Sequence, residues 1–328
     1  MKILLTGAFG NVGLSTLKEL IKRNHEIRVF DIKTKKNKRI AYKYKKDVEI
    51  FWGDIRNLKN VERAVSDRNV VVHVAAIIPP LADKKPKFAE SVNVGGTANI
   101  VKAMENQPKK PKLIFTSSVA VYGDRLENPL ITPEDPPNPN SDDEYAKQKI
   151  KCEILIKNSS LDWAIFRLTY IVSLNKLKMD PLMFEMPLDT CIEICDTKDV
   201  GLALTNAVES EEIWGEVMHI AGGDRCRISY REYLNEMLTI FGIGFEELPE
   251  EAFRQGRGFH CGFMTTHKSQ ALLNYQRYTL DDYFNAVRKK VTFSRLFTMV
   301  FKPIAQKYLL NKSHYYKEYL SKSHLGKL

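Results

Sequence analysis

The chain has 328 residues, 44% of them hydrophobic, which suits one large or two medium domains with a well-buried interior and excludes intrinsic disorder. No run of about 18 apolar residues occurs, so a membrane-spanning segment is not expected. The net charge of +10 is gathered at one end: from Arg288 to Leu328 ten Lys or Arg face a single acid, Glu318. The preceding body is close to neutral, so nucleic-acid binding by it has no electrostatic support.

In chain order, KILLTG reads as a short buried strand, and MKILLTG lacks the small-residue cleavage site of a signal peptide, so none is expected. Val12, Leu17, Leu20 and Ile21 have helical spacing. EIRVFDI, DVEIFWGD and NVVVHVAAI read as further strands, followed by a helix through NVGGTANIVKAMEN and a strand at KLIFTSS. Strands alternating with helices predict an α/β fold, a doubly wound parallel sheet covered on both faces. His73, inside an apolar strand, reads as a packed core histidine. The five cysteines, at 152, 191, 195, 226 and 261, have no framework spacing and read as reduced thiols. Cys191 and Cys195 lack a second ligand pair, so no metal is expected.

The first turn carries chemistry. TGAFGNVG sets Gly7, Gly10 and Gly13 between a strand and a helix start. Glycine there permits a tight turn, close approach of a pyrophosphate and close helix packing, while the helix N-terminus offers unpaired N–H groups to the anion. Asp31 ends the second strand 24 residues after Gly7. A carboxylate there can accept hydrogen bonds from both adenosine ribose hydroxyls and would repel a 2′-phosphate, so NAD rather than NADP is the expected cofactor.

Tyr145 and Lys149 stand four apart in EYAKQK and would share a helix face, where the ammonium would favour the phenolate and draw the phenol pKa down. Tyr42 with Lys46 and Tyr308 with Lys312 have the same spacing, so the pair alone decides nothing. Ser141 followed by Glu144 reads as a capping box that starts this helix.

TGAFGNVG, Asp31, WGD ending at Asp54, HVAA at 73–76, NVGGT at 93–97, FTSSVAVYG at 115–123 and YAKQK at 145–149 stand in an order and spacing similar to the extended short-chain dehydrogenase/reductases, specifically the NAD-dependent epimerase/dehydratase group. FRLTYIV, TKDVGLAL and HIAGG extend the resemblance to about residue 290. It implies a Rossmann-type sheet over 1–166 and a smaller C-terminal substrate-binding lobe over 167–290, some of whose segments return to the main sheet. A basic amphipathic tail, 291–328, would follow. By the resemblance, Tyr145 is the general acid/base, Lys149 its electrostatic partner and a ligand of the nicotinamide ribose, and Ser118 the donor to the reacting oxygen. Asp54 would reach the adenine, Ala75 and Ala76 would line the cofactor cleft, and Asn93 would brace the site. Phe9, Asn11, Val12, Ile55 and Ser117 complete the expected cofactor contacts. Plainer roles stand beside these: Ser117 and Ser118 as caps of a strand-to-loop turn, and Asp54 as an N-cap.

The expected partner is a small molecule. Family members acting on nucleotide diphosphate sugars often carry an asparagine where this chain has Tyr170 and an arginine where it has Ile192. Arg225, Arg227, Arg231, Arg254 or Arg257 could take over a diphosphate. Three readings follow: a sugar or sugar-nucleotide epimerase or dehydrogenase, preferred on family frequency; an oxidoreductase of a less polar alcohol, hydroxysteroid-dehydrogenase-like; and a non-catalytic NAD-binding sensor. Val119 and Ala120 replace the acid pair of sugar dehydratases, which disfavours dehydration.

In the tail, Phe293, Leu296, Phe297, Val300, Phe301, Ile304 and Tyr308 form an apolar stripe at helical spacing, with Pro303 kinking the helix or starting a second. Packing of the stripe on the body, or on a second subunit of the homodimer usual in the resembled family, is the preferred reading, because most amphipathic helices in globular chains face a core. Peripheral contact with an anionic membrane by an otherwise cytoplasmic protein is the alternative.

Overall fold

The computed structural model describes residues 1–177, 181–245, 248–256 and 258–325. In chain order its elements are β1 (Lys2–Thr6), α1 (Asn11–Ile21), β2 (Glu26–Asp31), α2 (Lys35–Ala41), β3 (Glu49–Trp52), α3 (Leu58–Val65), β4 (Val70–His73), α4 (Leu81–Lys84), α5 (Pro86–Glu105), β5 (Lys112–Ser118), β6 (Leu130–Ile131) and α6 (Glu144–Lys157). There follow β7 (Trp163–Leu168), β8 (Tyr170–Val172), β9 (Cys191–Asp196), α7 (Thr197–Glu209), β10 (Val217–Ile220), β11 (Arg227–Ser229) and α8 (Tyr230–Ile240). The chain continues through β12 (Phe263–Met264), α9 (His267–Leu273), α10 (Leu280–Val300), α11 (Lys302–Leu310) and α12 (His314–Leu325).

A seven-stranded parallel sheet, ordered β10-β7-β5-β4-β1-β2-β3, forms the centre. Its middle strands have few polar residues because helices cover both faces: Ile3, Leu4, Leu5, Val71, Val72, Leu113 and Ile114 are fully buried. One face packs on α1 and α7 through Leu17, Leu20, Val200 and Leu204, the other on α3, α5 and α6 through Val61, Ile100, Met104 and Ile156. Strand order reverses between β1 and β4, which opens a crevice at the carboxyl ends of the strands. This is the α/β, Rossmann-type architecture expected, and its edge strand beside β7 is β10, from residues 217–220.

A second, smaller core is built on β8, β9 and β11 with α8 and α10, and includes Ile192, Phe184, Tyr230, Leu238, Phe253, Val287 and Leu309. Ile192, which stands where an arginine was sought, is wholly buried in this core. The lobe runs past residue 290, because Val291 and Leu309 belong to its interior.

Three local expectations need correction. The helix read from Asn93 starts earlier, at Pro86, whose fixed φ and missing N–H suit a first-turn position. The helix bearing Tyr145 is capped not by Ser141 but by Asp143, whose carboxylate accepts from the Ala146 N–H at 2.8 Å; the Asp143 N–H donates to the Asn140 carbonyl and carries the turn two residues further. The tail stripe is not packed on the body: Leu296, Val300, Ile304 and Tyr308 are between 61 and 74% exposed. The inward face of α11 is made instead by Gln306 and Leu309, while the side chains of Phe293 and Phe297 lie outside the described ones. Pro303 does begin a second helix, α11. Among the described residues no helix is long and apolar enough to cross a membrane.

Candidate active site

A cleft of about 750 Å³ opens at the carboxyl edge of the sheet, where β1, β2, β4 and β5 end. Its floor is the turn between β1 and α1. Gly7 has φ +66°, and a Cβ on Gly13 would stand 2.1 Å from the Gly7 carbonyl oxygen, so neither position accepts a side chain. Gly10 provides no side-chain cap, so the first N–H groups of α1 have no side-chain partner. Asp31, at the end of β2, accepts from the Phe9 N–H at 2.9 Å and the Ile32 N–H at 2.8 Å, which fixes its carboxylate beside the turn. Burial pushes the Asp31 pKa up, and those two N–H groups with the Lys36 charge oppose the rise.

Along the cleft, Asp54 is not the cap of α3, a role taken by Asn57. Its carboxylate pairs with Arg56 at 2.5 Å, and the arginine holds its pKa below the ordinary value. Ile55, Ala75 and Ala76 form apolar walls. Asn93 does not line the cleft: its amide accepts from the Ile77 N–H at 2.7 Å and donates to the Ile77 carbonyl at 2.9 Å and to Gln148 at 2.8 Å. With both ends consumed it braces the segment after β4.

The far end of the cleft holds the polar trio. Tyr145, on the first turn of α6, is 8% exposed among Ile77, Ala82, Ala89, Ala120 and Ala146. Burial pushes its phenol pKa up, the Asp143 charge adds to this, and the neighbouring Ser118 hydroxyl opposes it. Lys149, one turn later, is 3% exposed and donates to the Thr116 carbonyl at 2.7 Å, with its ammonium 5.8 Å from the Tyr145 ring centre. The expected lowering of the phenol pKa by the ammonium is therefore not found in the protein alone, because Lys149 is turned to the sheet edge. Burial lowers the Lys149 pKa to about 8, with Cys152 and Glu153 opposing.

Ser118 accepts from the Ala120 N–H at 3.2 Å and starts the 3₁₀ turn Val119–Tyr122, so the capping reading holds while the residue also lines the cleft. Ser117 borders the cleft too, but its hydroxyl donates to Glu153 at 2.6 Å. His73 is a core histidine, with Nδ1 2.8 Å from Thr6 and Nε2 3.1 Å from Thr97; burial, then the Lys149 charge, lowers its pKa to about 3.

Phe259, His260 and Cys261 also line the cleft, from a loop far downstream with no motif to mark it. His260 Nδ1 lies 2.7 Å from Asp143. Burial alone would raise the Asp143 carboxyl, but His260 and the Ala146 N–H bring it below the ordinary value. Tyr170 lines the cleft, whereas Arg225, Arg227, Arg231 and Arg254 do not. Arg227 pairs with Glu193 and Asp224, Arg231 with Glu250 and Asp189, and Arg257 lies outside the described residues.

Residues 4–165 match the 3-beta hydroxysteroid dehydrogenase/isomerase family. A UDP-glucose 4-epimerase sequence of Klebsiella pneumoniae is 31% identical over 139 residues, 40% of this chain and 99% of that one. An uncharacterised protein of Sinorhizobium fredii is 32% identical over 186 residues, and a UDP-glucose 4-epimerase of Lactobacillus helveticus 31% over 156; these cover 56% and 46% of this chain, but only 44% and 46% of theirs. The chain thus spans under half the length of these two relatives. Among solved structures, a dTDP-glucose 4,6-dehydratase of Streptomyces venezuelae with NAD bound has a TM-score of 0.76 at 20% identity, over 90% of this chain and 98% of that one. A UDP-glucuronic acid 4-epimerase of Bacillus cereus in complex with UDP-glucuronic acid and NAD gives 0.73 at 20% identity, over 89% and 99%. Similarity at that identity carries the fold, and the Klebsiella match carries the kinship: the chain belongs to the extended short-chain dehydrogenase/reductases, in the NAD-dependent epimerase/dehydratase group.

Proposed function

We propose that the protein is an NAD-dependent oxidoreductase or epimerase that moves a proton and a hydride at one carbinol carbon. The observation that carries this is the gathering of Ser118, Tyr145 and Lys149 in the same cleft as the turn bearing Gly7, Gly10 and Gly13, where Gly7 and Gly13 leave no room for a Cβ. That turn and the first N–H groups of α1 would hold the pyrophosphate of NAD, and Asp31 would take the adenosine ribose hydroxyls. When bound, NAD supplies the nicotinamide that accepts or gives the hydride. Tyr145 would take the substrate hydroxyl proton on oxidation and return it on reduction, while Ser118 donates to the same oxygen. Lys149 would hold the nicotinamide ribose and, as a cation beside the phenol, lower the cost of the phenolate.

The names of the curated relatives support a sugar nucleotide as substrate. A less polar alcohol or ketone is the second reading, favoured by the cleft walls: Ile77, Ile78, Pro79, Phe88, Ile171 and Phe259 contribute apolar surface, and no described arginine from the second half of the chain lines the cleft. Purified protein with NAD is to be screened against UDP-, GDP- and dTDP-sugars, free sugars and apolar alcohols, following reduced-cofactor absorbance and product configuration. Changed configuration without net reduced cofactor identifies an epimerase, and net reduction with an apolar alcohol the second reading. Protein that binds no NAD in calorimetry overturns both.

A further inference from the structure

We propose that the α10–α11 corner docks the protein on the surface of an anionic bilayer. Leu296, Met299 and Val300 at the end of α10, and Phe301, Ile304 and Tyr308 along α11, are between 43 and 74% exposed within thirteen consecutive residues. Isolated exposed apolar side chains are ordinary, but six in one ridge mark an interaction surface. The ridge is held on a fixed base. Leu309 is 2% exposed in the lobe core, Gln306 donates to the Ile243 carbonyl at 3.0 Å, and Ser313 to the Ala252 carbonyl at 2.5 Å.

Charge selects the occupant. The segment from Arg288 onward holds nine of the ten net positive charges of the chain. Arg295 precedes Leu296 directly, Lys307 lies one turn after Ile304, and the Lys312 ammonium sits 4.4 Å from the centre of the Tyr308 ring. Cations edging apolar and aromatic side chains suit a surface where lipid phosphates meet acyl chains: the ridge enters the boundary and the ammonium and guanidinium groups remain at headgroup level. A second copy of this chain would bring the same positive edge against itself, and like charges facing across an interface are unfavourable. This inference does not rest on the proposed chemistry.

The test is co-sedimentation of the full chain with phosphatidylcholine vesicles, with and without phosphatidylglycerol, at low and moderate salt. Wild type is expected to sediment with the anionic vesicles only, and less as salt rises. Leu296→Ser, Val300→Ser and Ile304→Ser combined should weaken partitioning roughly tenfold or more, and Arg295→Gln with Lys307→Gln should weaken binding to the anionic vesicles and reduce its salt dependence. Unchanged far-ultraviolet circular dichroism and NAD affinity would show both variants folded. Wild type left in the supernatant with both vesicle types, or a serine variant that partitions as wild type does, overturns the proposal. So does a wild-type dimer in sedimentation equilibrium that the serine substitutions dissolve without any change in vesicle binding.

Discussion

Lys149 gives its ammonium to the carbonyl oxygen of Thr116 at 2.7 Å, in a pocket where it is 3% exposed. The bond ties the helix of the candidate acid/base to the end of the central strand β5 and sets the state in which Lys149 waits for a cofactor. With its folded pKa near 8, against 10.5 for the free side chain, the unfolded chain binds more protons between those values. Stability contributed by this group therefore rises with pH from about 8 to 10.5, and its burial penalty is fully present below 8. Lys149→Met should remove that rise, worth about 3 kcal/mol at most. Urea denaturation of both proteins across that pH range measures it, and parallel curves would contradict the assignment.

Tyr145→Phe removes the proton carrier but keeps the ring among Ala82, Ala89 and Ala120. Turnover of an identified substrate should fall by about 100-fold or more. NAD affinity by calorimetry should stay nearly unchanged, because the cofactor affinity is expected to reside mainly in the glycine turn and Asp31, whereas the phenol serves proton transfer.

Asp31→Ala should weaken NAD binding by roughly tenfold or more, the loss of charged hydrogen bonds to the ribose. It should also narrow the preference over NADP, whose 2′-phosphate no longer meets a carboxylate. Calorimetry with both cofactors decides, and tighter NADP binding by the wild type would reverse the cofactor assignment.

Behind the cleft, Glu153 accepts from Arg167 at 2.7 and 3.0 Å and from Ser117 at 2.6 Å, and Arg167 donates to Tyr122 at 2.6 Å. Glu153 and Arg167 are each 2% exposed. Glu153→Ala would leave the guanidinium buried without its counter-charge and should cost about 3–5 kcal/mol. Chemical denaturation tests this, and a loss below about 1 kcal/mol would mean that water replaces the carboxylate.

Asp143→Ala should cost about 1 kcal/mol through loss of the α6 cap. Because the folded pKa of Asp143 lies below the ordinary 3.8, its contribution is present above that value and fades as pH falls through the folded pKa. The difference between wild type and variant should therefore shrink in acid, which thermal melts at neutral and acid pH would show.

The parts of the site carried by short patterns were legible in the sequence: the glycine turn, Asp31 at its strand end, and Tyr145 with Lys149 one turn apart. Each depends on neighbours within a few residues, where helix and strand periodicity fixes geometry. The early start of α5 was hidden because Lys84, Lys85 and Lys87 interrupt the apolar spacing around Pro86. The cap of α6 was misread because Ser141 and Asp143 are both competent caps, and only the turn from Asn140 chooses between them. Phe259 and His260 reach the cleft from a distant loop, which no local pattern encodes. In the tail, apolar residues occupy both faces of the helical segment, Val291 and Leu309 inward and Leu296 and Ile304 outward. Periodicity identified a stripe but not the side that faces the lobe.

The strand β10 has a consequence for how the molecule can be made and divided. It pairs with β7 through Val217 against Ile165 and Ile220 against Leu168, and α7, just before it, lies on α1. A nascent chain emerging from a ribosome therefore cannot close its sheet until residue 220 has been synthesised, long after the glycine turn is available. A fragment ending at residue 166 would leave the edge of β7 open and α1 uncovered, a template for aggregation rather than a portable cofactor-binding cassette. Swapping substrate specificity between relatives by exchanging halves would meet the same obstacle, because the seam between halves runs through the sheet itself.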